Sequence, residues 1–79
     1  MDDKTVKSPM PGTFYRSPDP ESAPYVSEGD RVSAGDTVGL IEVMKSFHEI
    51  KSEQDGTVTK FLVENEGAVD AGQNLVELE

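Results

Sequence analysis

A lysine between two short apolar runs is the residue of this chain best suited to covalent chemistry. It lies in the stretch Glu42-Val43-Met44-Lys45-Ser46, and a lysine amine becomes a nucleophile once it loses its proton. The flanking residues 37–43 and 47–51 have the β-branched and alternating patterns of strands, which predicts a hairpin with Met44-Lys45 at its tip. Tight hairpin loops favour Asn-Gly or a glycine pair because their central residues take positive φ, and Met-Lys lacks this chemistry. We therefore expect a strained turn that is retained because it displays Lys45.

The composition limits the chain to a small domain with a thin core. It has 79 residues, of which 34% are hydrophobic, and its aromatic residues are three phenylalanines and two tyrosines. Such a chain cannot enclose a deep enzyme cleft. It has no cysteine for disulfides or thiolate metal sites, and its single histidine, His48, cannot form a metal cluster. We predict one domain over residues 1–79, in which residues 1–4 are a loose tail.

The charge of the chain bears on its partners and its location. The formal net charge is −9, so phosphates would be repelled, and nucleic acid and anionic membranes are poor partners. No apolar run approaches the roughly 20 residues of a membrane helix. The N-terminal Met1-Asp2-Asp3-Lys4 lacks the basic and apolar regions of a signal peptide. We expect a cytoplasmic protein without nucleic-acid or membrane partners, which binds basic protein surfaces.

Turns rich in Gly, Pro and Asp cut the chain into segments too short for an ordinary helix. The segments between the turns carry the β-branched, aromatic and alternating patterns of strands. They comprise Val6, residues 13–15, Val32, and residues 38–43, 47–51, 57–63, 68–69 and 75–78. The sequence therefore predicts an all-β chain.

An internal repeat gives these strands an architecture. Residues 6–16 align with residues 50–60 at an offset of 44, with identical Lys, Ser, Gly and Thr. Residues 32–38 align with residues 69–75 at an offset of 37. Two copies of a β unit that cannot bury an apolar face alone are expected to pack about a pseudo-twofold axis. We predict a flattened β-barrel or sandwich, a barrel-sandwich hybrid of two four-stranded halves.

The two offsets also locate an insertion and the ends of the molecule. They differ by seven, so the first copy has seven extra residues, which we place in the proline-rich segment at about residues 17–25. Its prolines suit a stiff projection better than a paired strand. The offsets relate Lys45 to residue 1 and Glu42 to Glu79, so the hairpin corresponds to the chain ends. We expect Lys45 to protrude at one pole with both termini at the other, which suits a tethered carrier.

Together these features resemble the biotinyl/lipoyl carrier family over nearly the whole chain, residues 6–78. Met44-Lys45 with Glu42 upstream is similar to the biotin attachment motif, in which Ser46 replaces the usual second Met. Lipoyl domains usually have Asp before the lysine. The stretch Ser8-Pro9-Met10-Pro11-Gly12-Thr13-Phe14-Tyr15-Arg16-Ser17-Pro18, followed by the insertion, resembles the biotinyl domains of the biotin carboxyl carrier proteins of acetyl-CoA carboxylase, which have a protruding thumb there.

The resemblance implies a non-catalytic carrier with biotin as a covalent cofactor on Lys45. A biotin protein ligase would attach biotin and would recognise the surrounding motif, which consists of Glu42, Val43, Met44 and Ser46. A biotin carboxylase would load a carboxyl group, and a carboxyltransferase would pass it to acetyl-CoA to give malonyl-CoA for fatty acid synthesis. Two alternatives remain open. One is a lipoyl carrier domain of a 2-oxo acid dehydrogenase-type complex, and the other is an unmodified structural barrel-sandwich domain.

Overall fold

The all-β prediction is confirmed by the computed structural model, which describes residues 4–79. Eight short strands follow one another along the chain: β1 (Thr5–Lys7), β2 (Gly12–Tyr15), β3 (Arg31–Val32), β4 (Thr37–Val43), β5 (Ser46–Lys51), β6 (Gly56–Phe61), β7 (Gly67–Val69) and β8 (Asn74–Leu78). The loose tail expected over residues 1–4 lies outside the described residues except for Lys4. Within residues 4–79 there is no helix long and apolar enough to cross a membrane.

The strands form two four-stranded antiparallel sheets, here called sheets A and B. Sheet A has the order β1-β8-β6-β3, and sheet B has the order β5-β4-β2-β7. In the repeat, strands β1, β2, β3 and β4 correspond to strands β5, β6, β7 and β8, respectively. Replacing each strand of sheet A by its equivalent gives the strand order of sheet B. The predicted pseudo-twofold arrangement of two four-stranded halves is therefore confirmed. Each sheet takes two strands from each repeat, so the two copies exchange strands.

Two buried serines occupy equivalent places in the two repeats. Ser8 and Ser52 are each 2% exposed. The hydroxyl of Ser8 donates to the carbonyl of Met10 at 2.5 Å, and that of Ser52 donates to the carbonyl of Gln54 at 2.6 Å. A buried hydroxyl group needs such a partner. The repeated serine is therefore explained by the fold.

The core lies between the sheets and is filled differently in the two repeats. Phe14 on β2 is fully buried, and a Cβ atom at Gly39 on β4 would lie only 2.5 Å from its ring. The repeat equivalents of these two residues are Val58 and Val76, which are both buried. In sheet B, one large ring beside a glycine thus fills the space that two valines fill in sheet A.

The insertion between β2 and β3 has no counterpart in the second repeat, as predicted. Its base is closed by the backbone N–H of Tyr25, which donates to the carbonyl of Arg16 at 2.8 Å. Within the loop, the carboxylate of Asp19 accepts hydrogen bonds from the backbone N–H of Glu21 and the hydroxyl of Ser22, both at 2.9 Å. The hydrogen bonds within the insertion fix the shape of this loop.

Candidate functional site

The hairpin of β4 and β5 carries Lys45 at its tip, as predicted. Six registered residue pairs join the two strands, and the last of them is Val43 opposite Ser46. Met44 and Lys45 form the two-residue loop with φ angles of 51° and 68°, both in the left-handed region. This conformation costs about 1–2 kcal/mol for each residue that has a Cβ atom. The expected strained turn is therefore confirmed.

The tip of the hairpin presents its side chains to solvent. Met44 is 93% exposed and Phe47 is 60% exposed, and Lys45 and Ser46 are exposed as well. Large apolar side chains beside a displayed lysine favour a surface that contacts another molecule. The amine of Lys45 is accessible to a modifying enzyme.

Glu42, at the end of β4, is held by a hydrogen bond that the sequence does not predict. The hydroxyl of Tyr15 on β2 donates to Oε1 of Glu42 at 3.0 Å. The ring of Tyr15 also lies near that of Phe47, with 6.5 Å between the ring centroids. The hydrogen bond to Glu42 raises the pKa of Tyr15 most, followed by partial burial and by the negative charges of Glu42 and Glu66.

A groove of about 300 Å³ lies beside the hairpin, between the insertion and the outer face of sheet B. Pro18 and Pro20 of the insertion form one wall, and Tyr15, Leu40 and Phe47 line the sheet side. The polar residues of the lining are Ser17, Asp19, Asn65 and Glu66. Leu40 is only 6% exposed, although it does not belong to the core cluster between the sheets. A buried leucine outside the core indicates that the insertion covers this part of the sheet.

Sheet A shows how the same face is built where there is no insertion. The repeat equivalents of Tyr15 and Leu40 are Thr59 and Glu77, and both are exposed. The hydroxyl of Thr59 donates to the carbonyl of Glu77 at 3.0 Å. Because the two sheets share one strand arrangement, the apolar lining of the groove is not a requirement of the fold.

Arg16 fixes the base of the insertion against the second repeat. Its backbone N–H donates to Oδ1 of Asn65 at 2.9 Å, and its Nη2 donates to the carbonyl of Val63 at 3.1 Å. The guanidinium carbon lies 4.2 Å from the centroid of the Phe61 ring, within the range of a cation–π contact. With the Tyr25 bond to the carbonyl of Arg16, these contacts hold the wall of the groove in one position.

The structure brings the predicted site residues together on one hairpin. Lys45, Met44 and Ser46 lie at its tip, and Glu42 and Val43 are half-buried at the end of β4. Within residues 4–79, no group of His, Asp or Glu side chains could hold a metal ion.

Three further residues of this region, Tyr15, Leu40 and Phe47, are not singled out by the sequence. The repeat contained a signal for two of them, because Tyr15 aligns with Thr59 and Leu40 aligns with Glu77. A position that is apolar or aromatic in one copy and polar in the other is not set by the shared fold. Such positions are candidates for function.

Comparisons with known proteins agree with the resemblance found in the sequence. Residues 4–78 match the protein family described as biotin-requiring enzyme. The biotin carboxyl carrier protein of acetyl-CoA carboxylase from Porphyra purpurea is 45% identical over 75 residues, which cover 95% of this chain and 48% of the relative. The carrier of the same description from Nostoc sp. is also 45% identical, over 73 residues that cover 92% of this chain and 40% of the relative. The chain spans about half the length of these relatives, or less.

Among solved structures, the urea carboxylase of Kluyveromyces lactis matches the whole chain with a TM-score of 0.80 and 31% sequence identity. The match covers 6% of that protein. The fold of this chain therefore also occurs as a small part of a large carboxylase.

Proposed function

Because the chain belongs to the biotin-requiring enzyme family, we propose that it carries biotin on Lys45 as the carrier domain of an acetyl-CoA carboxylase. The main support is the exposed, strained turn of Met44 and Lys45, which offers one lysine amine to a modifying enzyme. The names of the relatives support acetyl-CoA carboxylase. Met44 before the lysine also favours biotin over lipoate.

For attachment, this chain supplies the amine of Lys45 and the surrounding motif, by which the ligase would recognise that lysine: Glu42, Val43, Met44 and Ser46. A biotin protein ligase would supply biotin as its adenylate, and Nζ of Lys45 would attack the acyl carbon. An amide bond forms, the bond from the acyl carbon to the phosphate oxygen breaks, and AMP leaves. The two protons that the ammonium nitrogen gives up pass to bases of the ligase and to solvent. The chain loses one positive charge, so its net charge changes from −9 to −10.

The role of the chain is to present this arm to its partners. When bound, biotin would accept a carboxyl group at a biotin carboxylase and release it to acetyl-CoA at a carboxyltransferase. Joining carrier and enzymes in one complex raises the effective concentration of the arm far above that of free biotin. The acidic surface fits basic protein partners and disfavours nucleic acid and anionic membranes. We place this activity in the cytoplasm.

The groove is the place on this chain where the end of the arm would rest. Phe47 lies two residues after Lys45, and the groove extends from it along the strands to Leu40. The largely apolar lining and the covering insertion suit an uncharged ring system. The insertion would then serve the cargo, since sheet A is complete without such a loop.

Substitution of Lys45 tests the attachment site. The chain is incubated with a biotin protein ligase, biotin and ATP, and its intact mass is measured. We expect one biotin per wild-type chain and none on Lys45→Arg, because arginine keeps the charge but not the nucleophilic amine. Lys51→Arg is the matched control, because Lys51 is an exposed lysine of the same hairpin. It should gain one biotin at the wild-type rate.

Three results would contradict the proposed function. Modification of Lys45→Arg would place biotin on another residue. A wild-type chain that stays unmodified after ligase treatment, while a known carrier is modified in parallel, would favour an unmodified structural domain. Modification by a lipoate ligase alone would favour the lipoyl carrier.

A further inference from the structure

We propose that Tyr15 is a positioning residue for biotinylation, because its hydroxyl holds the carboxylate of Glu42 in a fixed place at the base of the hairpin. The inference rests on the proposed function, in which Glu42 belongs to the motif that the ligase recognises. It adds a residue outside that motif, on a different strand, 30 residues before Lys45 in the chain.

The backbone on both sides of the contact is fixed by the sheet. Glu42 lies opposite Phe47 on one side and Thr13 on the other, so its strand is paired along both edges. Only the side-chain torsions of Glu42 are then free, and a glutamate loses much of that freedom when it is bound. Tyr15 supplies the restraint through the bond of 3.0 Å from its hydroxyl to Oε1.

Tyr15 is itself held in place, so the restraint is firm. It is the last residue of β2 and pairs with Leu40, and its ring lies beside the ring of Phe47. A tyrosine has few torsions, so little further ordering is needed to keep its hydroxyl in position. The carboxylate of Glu42 therefore has a defined place relative to the Met44-Lys45 turn.

A carboxylate that accepts one hydrogen bond still has acceptor sites for a partner. An ionised carboxylate offers about four lone-pair sites, and the phenol of Tyr15 occupies one of them. A basic side chain of the ligase would meet a negative charge whose position is already set, so it would not have to order Glu42 on binding. Tyr15 acts through Glu42 and has no contact with the reacting amine in this scheme.

The second repeat argues against a purely structural role. The equivalents of Tyr15 and Glu42 are Thr59 and Glu79, and the hydroxyl of Thr59 donates to Glu77 instead. Sheet A thus forms the same strand arrangement without a hydrogen bond between the side chains of the two equivalent residues. The Tyr15–Glu42 bond is found on the sheet whose hairpin carries Lys45.

Steady-state kinetics with a biotin protein ligase test this inference. Initial rates of biotin transfer are measured against the concentration of wild-type chain, Tyr15→Phe, Glu42→Gln and the double variant. Tyr15→Phe keeps the ring and removes only the hydroxyl, so we expect KM to rise about two- to tenfold, the equivalent of one hydrogen bond, with kcat unchanged. Glu42→Gln should raise KM at least as much. In the Glu42→Gln background, Tyr15→Phe should add nothing.

Thr59→Val is the matched control, because it removes the equivalent hydroxyl from the other sheet. It should leave KM and kcat at their wild-type values. If Tyr15→Phe has no effect on KM while Glu42→Gln raises it, the inference is wrong and the motif assignment stands. If the two effects multiply in the double variant, Tyr15 acts independently of Glu42 and the inference is also wrong. If Glu42→Gln has no effect, Glu42 has no role in recognition by the ligase and the inference is wrong, whereas the attachment of biotin to Lys45 is tested separately by Lys45→Arg.

Discussion

The hydroxyl of Tyr15 donates to a carboxylate, so its ionisation reports directly on the contact with Glu42. The phenol must keep its proton to donate, and the negative charge of Glu42 opposes a phenolate beside it. The pKa of Tyr15 is therefore higher in the folded chain than in the unfolded chain. The contribution of this bond to the free energy of unfolding is complete below the unfolded pKa near 10. It is lost as the pH rises through the higher folded pKa.

Ultraviolet titration of the phenolate checks this contact without any partner protein. The chain has two tyrosines and no tryptophan, so Tyr25→Phe leaves the signal of Tyr15 alone. We expect Tyr15 to titrate above 10.0 in that variant and at a lower pH once Glu42→Gln is added, because the negative charge is gone. The same pair of variants in denaturant is the control and should titrate alike. An unchanged midpoint in the folded Glu42→Gln variant would show that the two side chains are not in contact.

At the scale of elements, the hairpin and the insertion differ in how far the sequence determines them. The hairpin is predictable because strand patterns flank Met44-Lys45, and the strain follows from a two-residue loop without Asn or Gly. The length of the insertion is predictable from the two repeat offsets. The position of the insertion over Leu40 is not predictable, because an irregular loop has no periodicity that shows which surface it contacts. The groove, and the roles of Tyr15 and Phe47, depend on that tertiary contact.

Replacing the insertion tests whether the fold needs it. Residues 17–28 would be exchanged for residues 61–65, the shorter connection at the equivalent place in the second repeat. Uncovering Leu40 costs at most about 1.5–3 kcal/mol, so the chain should still melt cooperatively. Biotin attachment at Lys45 should continue, and carboxyl transfer should slow.

Leu40→Ala in the intact chain is the companion variant, because it empties the floor of the groove and leaves the insertion in place. Melting curves and single-turnover transfer rates are measured for both proteins. Loss of cooperative melting in the exchanged chain would show that the insertion is structural. Wild-type transfer rates in both variants would show that the groove has no part in carriage.

At the scale of the whole molecule, the repeat predicts the symmetry but not the exchange of strands. An alignment states which residues are equivalent, and it contains no information on which strands are neighbours. The strand order of each sheet is defined by which residues pair across neighbouring strands, such as Phe14 opposite Ile41 and Val58 opposite Leu78. These registers depend on packing between residues far apart in the chain, where the sequence pattern has only a period of two.

The different filling of the two halves gives a stability prediction. Phe14→Val alone leaves a cavity and Gly39→Val alone brings a side chain against the ring, so each should destabilise the fold by about 1–4 kcal/mol. The double variant reproduces the packing of Val58 and Val76 in the other half. We expect the double variant to lose less free energy of unfolding than the two single variants lose together, by more than about 1 kcal/mol.

Urea unfolding of the four proteins measures this coupling, with the wild-type slope as the check that unfolding remains two-state. Additive losses would mean that the two halves do not share interchangeable packing at this site.

The left-handed turn also determines how cargo on Lys45 can travel. Six paired residues on each strand and two strained φ angles leave the Cα of Lys45 as a fixed origin. All motion of an attached group relative to the domain then comes from rotations about the side-chain bonds beyond that atom. The group can reach the space within a fixed distance of that atom, except where the domain itself blocks it. In a flexible glycine loop the Cα of the lysine would itself move. Here, transport of the group beyond the reach of the side chain requires the whole domain to move.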